Sequence, residues 1–203
     1  MYFEKRIPLF LELGFRPDGL THLKAYIDLL WAANDDLNLI SRKMTFEELV
    51  DNHLVDCLLP LKKFPTDVKA VADFGSGGGL PGVLYAIQFP HMTFNLFEKS
   101  NKKQEFLNKC KSIASNVQVH GEIPLNLKNI DLVTARAFKP IDVILDVSRM
   151  YYKSGGKYFL LKGRLEKINE EITLSKKKFK DLKCVIEQLT SPILEVESDI
   201  VLI

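Results

Sequence analysis

The chain is poor in cysteine and tryptophan. It has three cysteines, Cys57, Cys110 and Cys184, and a single tryptophan, Trp31. The cysteines are scattered, odd in number and form no C-x-x-C pair. That excludes a disulfide framework and a zinc ribbon and fits a reducing, cytoplasmic setting. Long apolar runs are also missing. The longest reach about five residues, far below the ~20 needed to cross a bilayer. The N-terminus, Met1-Tyr-Phe-Glu-Lys-Arg6 followed by Ile7-Pro8, lacks the apolar stretch of a signal peptide. Charge of one sign is not in excess either. The net charge is +2, with 27% charged and 46% hydrophobic residues, the composition of a soluble globular chain of 203 residues. An anionic partner is permitted by this balance but not demanded. No metal site is expected, and no membrane partner.

Residues 1–66 read as a helical extension. Leu20, Leu23, Tyr26, Ile27, Leu30 and Trp31 keep helical spacing after a Pro17-Asp18-Gly19 turn. A second helix starts at Thr45, where Glu48 completes a capping box, and carries the stripe Phe46, Leu49, Val50, His53, Leu54, Cys57, Leu58, Leu61. Asn34 to Met44 reads as a polar loop. From residue 67 to 203 the pattern changes to alternating β and α elements. Strands are expected at Ala70–Phe74, Thr93–Phe97, Asn116–His120, Ile130–Ala135 and Lys157–Leu161, with helices over 81–89, 101–114, 140–152 and 164–179. Such alternation predicts a mostly parallel sheet covered on both faces. Cys184–Leu189 and Leu194–Ile203 then read as an antiparallel pair around Ser191-Pro192. They bring the sheet to seven strands in a Rossmann-like α/β fold.

The sharpest motif is Asp73-Phe-Gly-Ser-Gly-Gly-Gly-Leu-Pro-Gly82, directly after the first strand and opening a helix. Glycines there let the backbone turn tightly and approach a ligand. The second strand ends at Glu98, where a carboxylate can accept hydrogen bonds from both hydroxyls of a ribose. A G-x-G-x-x-G match at Gly77, Gly79 and Gly82 begins two residues too late for a dinucleotide fingerprint. The register that fits the strand end is Gly75-x-Gly77-x-Gly79, the S-adenosylmethionine version, and no G-K-[S/T] follows. Asp73 is expected to support the loop and Leu80 to pack on the cofactor.

Together with Thr134-Ala-Arg-Ala-Phe138, Leu161-Lys-Gly163, Asn38-Leu-Ile40 and His53-Leu-Val-Asp56, this loop resembles the ribosomal RNA small subunit methyltransferase G family. The resemblance runs from about residue 34 to 163. It implies a class I S-adenosylmethionine-dependent methyltransferase that modifies N7 of a guanine in 16S rRNA. It also implies that Gly121 and Glu122 flank the adenine and that Arg136 binds cofactor. Three positions depart from the family pattern. Gly78 stands where proline is usual, which predicts a more flexible loop. Glu98 replaces aspartate, and His120 stands where arginine is frequent.

Guanine N7 presents a free lone pair, so alignment and electrostatics are needed rather than a general base. The chain accordingly lacks the Asn/Asp-Pro-Pro-Tyr motif of amine methylation after its fourth strand, and no cysteine is placed to attack a pyrimidine. Arg136 is the nearest candidate for positioning. His53 reads as a packed, hydrogen-bonded histidine rather than a catalytic one; the alternative is that, with Asp56 and Asn38, it shapes the wall facing RNA. Lys139, Lys162 and Arg164 are the expected RNA contacts, the last two at the mouth of the fifth strand. The expected substrate is 16S rRNA, free or within the small ribosomal subunit, and the expected state is a monomer. The rival readings are a small-molecule methyltransferase, a non-catalytic RNA-binding assembly factor, and a nicotinamide dehydrogenase that the glycine register disfavours.

Overall fold

The computed structural model describes residues 1–193 and 197–203. Its centre is a seven-stranded sheet of order β3-β2-β1-β4-β5-β7-β6. The strands are β1 (Ala70–Phe74), β2 (Thr93–Phe97), β3 (Val117–His120), β4 (Leu132–Arg136), β5 (Lys157–Lys162), β6 (Val185–Thr190) and β7 (Glu197–Leu202). Strands β1 to β5 run parallel, while β7 is antiparallel to both β5 and β6. The seven strands and the alternating order agree with the sequence reading. Leu194–Val196, part of the last expected strand, lie outside the described residues. The chain order reverses between β1 and β4, and open parallel sheets bind ligands beyond the carboxyl ends of strands at such a switch.

The helices are α1 (Tyr2–Glu12), α2 (Leu20–Leu37), α3 (Phe46–Leu49), α4 (Asp56–Leu58), α5 (Gly82–Gln88), α6 (Asn101–Lys109), α7 (Ile141–Val147), α8 (Arg149–Lys153) and α9 (Leu165–Lys178). Residues 1–66 share one hydrophobic cluster with the sheet face that carries Val71, Phe94 and Phe159; α7 and α9 cover the other face through Ile141, Ile144, Ile168 and Ile172. Among the described residues, no helix is long and apolar enough to cross a membrane.

Four local features differ from the sequence reading. Helix α1 gives the expected helical extension a first helix that the periodicity did not delimit, and Pro8 lies inside it; Phe3 and Phe10 bury against each other with ring centroids 5.2 Å apart. Asn34–Leu37 belong to α2 rather than to a loop, and the helix ends at Asn38 in the left-handed region, φ 50°. The Asn34 side chain accepts from Ile40 N–H at 2.8 Å, so one polar side chain secures the turn out of the helix. Helix 140–152 breaks at Ser148, whose hydroxyl bonds Ile144 O and Tyr158 Oη (2.7 and 2.8 Å).

The fourth difference bears on the site. Thr45 and Glu48 form the expected capping box. The helix that follows is α-helical only to Leu49, π-helical over Val50–Val55, and α-helical again over Asp56–Leu58. Such wide turns are rare and concentrate at functional sites. This one contains His53 and is followed directly by Asp56.

Candidate functional site

The loop after β1 is held from three sides. Gly75 and Ser76 N–H both donate to Phe97 O at the end of β2 (2.9 and 3.1 Å). Glu98 accepts from Gly77 N–H with Oε2 (3.0 Å) and from Ser100 N–H with Oε1 (2.9 Å). Tyr26 Oη donates to Gly78 O at 2.7 Å, and Gly78 packs on Leu30 and Leu39. Gly78 is therefore pinned by α2, and the flexibility expected of it is replaced by this tertiary contact. Gly75 and Gly77 have φ of +68° and +53°, a region that strains residues with a Cβ. A Cβ on Gly75 would also lie 2.2 Å from Phe138 Cδ2, so its absence lets that ring cross the loop.

Two adjoining cavities open here. The first, about 360 Å³, is lined by Gly75, Ser76, Gly77, Gly78, Leu80, Phe97, Glu98, Gly121, Arg136 and Phe138, with Leu39, Ile40, Lys103 and Ile123. The second, about 640 Å³, is bounded by Asn52, Asp56, Lys139, Pro140, Lys162, Gly163 and Ser198. Arg136, Ala137 and Phe138 belong to both. Ala137 adopts φ +52°, a conformation that costs a non-glycine residue roughly 1 kcal/mol. It separates Arg136 and Phe138 on this shared wall.

Arg136 is held by two side chains of the N-terminal segment. Its Nη1 donates to Asp56 Oδ2 and to His53 Nδ1, both at 3.1 Å. Asp56 Oδ1 in turn accepts from Ser198 Oγ at 2.5 Å. A guanidinium only donates, so His53 Nδ1 is the acceptor and its proton sits on Nε2. Burial and the neighbouring guanidinium lower the His53 pKa to about 4, so the ring is neutral near neutral pH. Arg136 Nε is buried without a partner.

Asp73 is buried under the loop, and neither carboxyl oxygen has a partner in hydrogen-bonding geometry. Burial raises its pKa to about 7, with the nearby Ser76 hydroxyl and Gly82 N–H holding the shift back. Support of the loop runs instead through the Asp73 main-chain oxygen, which accepts from Ser76 Oγ at 3.0 Å.

Of the expected site residues, Gly75, Gly77, Leu80, Glu98, Gly121 and Arg136 meet in the first cavity. Gly79 lies behind it, where a Cβ would be 2.6 Å from Val83 Cγ2; it serves packing. Glu122 is exposed outside the lining and faces Lys99 at 3.4 Å. His120 stacks on Phe97, centroids 4.9 Å apart, and bonds Asn95. Lys162 differs from its expected role. Its Nζ bonds Glu171 Oε2 (2.8 Å) and Lys139 O (2.9 Å), with both side chains of the ion pair largely buried, and Glu171 also accepts from Ile141 N–H. Lys162 thus braces the loop after β4, its charge met by Glu171, and it also borders the second cavity. Lys139 and Arg164 are exposed. His53 and Asp56 hold Arg136 on the inner wall, whereas Asn38 terminates α2 so that Leu39 and Ile40 enter the cavity.

Comparison with known proteins gives a consistent picture. The sequence model of the family described as rRNA small subunit methyltransferase G matches residues 20–197. Ribosomal RNA small subunit methyltransferase G 1 of Bdellovibrio bacteriovorus is 67% identical over 202 residues, 100% of this chain and 98% of that protein. The methyltransferase G of Brachyspira hyodysenteriae is 37% identical over 150 residues, 72% of each chain. Among solved structures, the O-methyltransferase from Bacillus cereus in complex with SAH aligns with TM-score 0.58 at 11% identity, covering 88% of this chain and 90% of that one. Fibrillarin from Aeropyrum pernix, with natively bound S-adenosyl-L-methionine, aligns with TM-score 0.53 at 13% identity over 74% and 73%. These two show the fold, that of class I methyltransferases.

Proposed function

Because the chain belongs to the rRNA small subunit methyltransferase G family, we propose that it transfers a methyl group from S-adenosylmethionine to N7 of a guanine in 16S rRNA. The observation that carries this reading is the pair of cavities sharing Arg136, Ala137 and Phe138. A methyl donor and a methyl acceptor need adjoining compartments in which the two reactants can be brought into line. The residues of the first cavity fit the cofactor. The buried Nε–H of Arg136 is an unused donor suited to a carboxylate. Each oxygen of Glu98 has accepted one backbone N–H and keeps a lone pair for a ribose hydroxyl. A Cβ at Gly77 would meet only Gly75 O, at 3.8 Å, so the backbone leaves an open cradle.

When bound, the cofactor supplies an electrophilic sulfonium methyl. The residues of the chain then align and insulate. Gly75, Gly77 and Leu80 shape the floor, Glu98 holds the ribose, and Arg136 orients the charged end. Gly121 borders the adenine, with Ile123 in place of Glu122. In the second cavity Phe138 and Pro140 offer surfaces for a base, and Asn52 an amide for its edge. N7 needs no deprotonation, so no general base is assigned; His53, neutral and engaged by Arg136, supports that. Residues 67–203 form the methyltransferase portion. Residues 1–66 cover the glycine loop through Tyr26 and supply His53 and Asp56. Lys139 and Arg164 are the exposed cations that contact phosphate, and the protein acts as a cytoplasmic monomer.

The test is transfer of labelled methyl from S-adenosylmethionine to 16S rRNA and to small subunits from a strain lacking this protein, with the product base mapped. The expected product is one N7-methylguanine. Label on a small molecule only, or RNA binding without transfer, would refute the assignment.

A further inference from the structure

The contact between Ser198 and Asp56 joins parts of the chain 142 residues apart. Ser198 lies on β7, is 5% exposed, and pairs in register with Leu189 of β6; its neighbour Asp199 pairs with Lys162 of β5. The hydroxyl is therefore held by the sheet. Asp56 comes from the other side, at the residue that follows the π-helical turn. A carboxylate can turn about its Cβ–Cγ bond, and a short hydroxyl bond to Oδ1 fixes which oxygen meets Arg136. Among the described residues, Ser198 and Arg136 are the hydrogen-bond partners of the Asp56 side chain.

We propose that Ser198 is a positioning residue for methyl transfer: by fixing Asp56, it sets the Arg136 guanidinium on the wall shared by the two cavities. This rests on the reading that these cavities hold cofactor and target base. Three anchors of different origin meet in this chain of contacts. The antiparallel strand provides Ser198, the N-terminal segment provides Asp56 and His53, and β4 provides Arg136. Loss of the hydroxyl leaves Asp56 free to turn and Arg136 free to leave His53 Nδ1. The fold loses one side-chain contact at the rim of a water-accessible cavity, while the cost falls on alignment.

At saturating S-adenosylmethionine, Ser198→Ala is expected to lower the single-turnover methylation rate about tenfold, the scale of one hydrogen bond to a charged acceptor. Ser198→Thr, which keeps the hydroxyl, is expected to recover most of the rate. In an Arg136→Lys background, Ser198→Ala should add less than twofold, since both changes disturb one device. Nitrogen NMR of the His53 ring gives a separate readout that needs neither cofactor nor RNA. The wild type should show the Nε2–H tautomer alone and Ser198→Ala a mixture. If Ser198→Ala does not fold, Asp56→Asn should show the same rate loss and tautomer mixture. A rate within twofold of wild type, full additivity with Arg136→Lys, or an unchanged His53 ring in the folded variant would overturn the proposal. A wild-type protein that transfers no methyl to rRNA would instead overturn the functional reading, and the His53 spectrum would still decide the role of Ser198.

Discussion

Replacing Asp73 by asparagine should make the protein more stable at neutral pH, although the residue heads the glycine loop. Asp73 is 1% exposed, and its two carboxyl oxygens have no hydrogen-bond partner. Its pKa rises from 3.8 to about 7. The folded state therefore holds this proton more tightly than the unfolded chain does. Between about pH 4 and 7 the native state binds more protons at this site, so stability falls as pH rises and levels off above 7. Three pKa units at 1.36 kcal/mol each give roughly 4 kcal/mol as an upper bound, before the fold relaxes. Asparagine has nearly the same shape and no charge to bury. The difference in unfolding free energy, mutant minus wild type, should then grow from pH 4 to 7 in the mutant's favour by a few kcal/mol. Urea titrations of both proteins without cofactor, at half-unit steps of pH, measure it. A difference that stays constant across this range would refute the reasoning, because it would mean that Asp73 ionises in the fold as freely as in water.

Glu98→Ala should weaken S-adenosylmethionine binding roughly 10- to 100-fold by calorimetry, since hydrogen bonds to a charged acceptor contribute about 1.5–3 kcal/mol each. Unchanged affinity would remove Glu98 from the ribose. Lys139→Ala and Arg164→Ala should weaken RNA binding with a defect that shrinks at high salt, leaving cofactor affinity intact; a salt-independent defect would argue against phosphate contact. Lys162→Ala should instead cost about 3 kcal/mol of stability by stranding the largely buried Glu171, which chemical denaturation reads directly. At saturating cofactor, the single-turnover rate should vary only a few-fold between pH 6.5 and 9, because His53 stays neutral throughout. A tenfold-per-unit acidic limb that vanishes in His53→Ala would make this histidine a base.

The parts of the fold legible in the sequence are those set by local periodicity. The first two strands have the expected ends, Ala70–Phe74 and Thr93–Phe97, because each is a short apolar run closed by a glycine loop or an acid. Helix α1 lies in the stretch read as helical, but its bounds were not legible: an interior proline usually argues against a helix, and the burial of Phe3 and Phe10 overrides it. In the site, Gly75, Gly77, Leu80, Glu98 and Arg136 were legible because each sits at a strand end or in a motif. Lys103 and Ser198 carry no motif, and Leu39, Ile40 and Phe138 sit in recognised segments without a role of their own; all reach the cavities through the packing of distant segments. Lys162 looked free because its partner Glu171 lies nine residues on, a spacing no local rule flags.

The π-helical turn at Val50–Val55 has a consequence for how this chain can tolerate change in length. Each residue added to an α-helix rotates everything beyond it by about 100°, and a π-helical turn accommodates one extra residue without unwinding its flanks. Phe46–Leu49 and Asp56–Leu58 are thus two short helices that keep the phase of one helix with a residue fewer between them. In that phase Leu49 and Cys57 both face the core while Asp56 faces Arg136. Deleting any single residue from 50 to 55 would remove the extra residue, restore one regular helix and leave Asp56 facing the guanidinium. Most substitutions in the same stretch would leave the phase alone. The segment can therefore lose one residue and still present Asp56, whereas gaining one would need a second such turn.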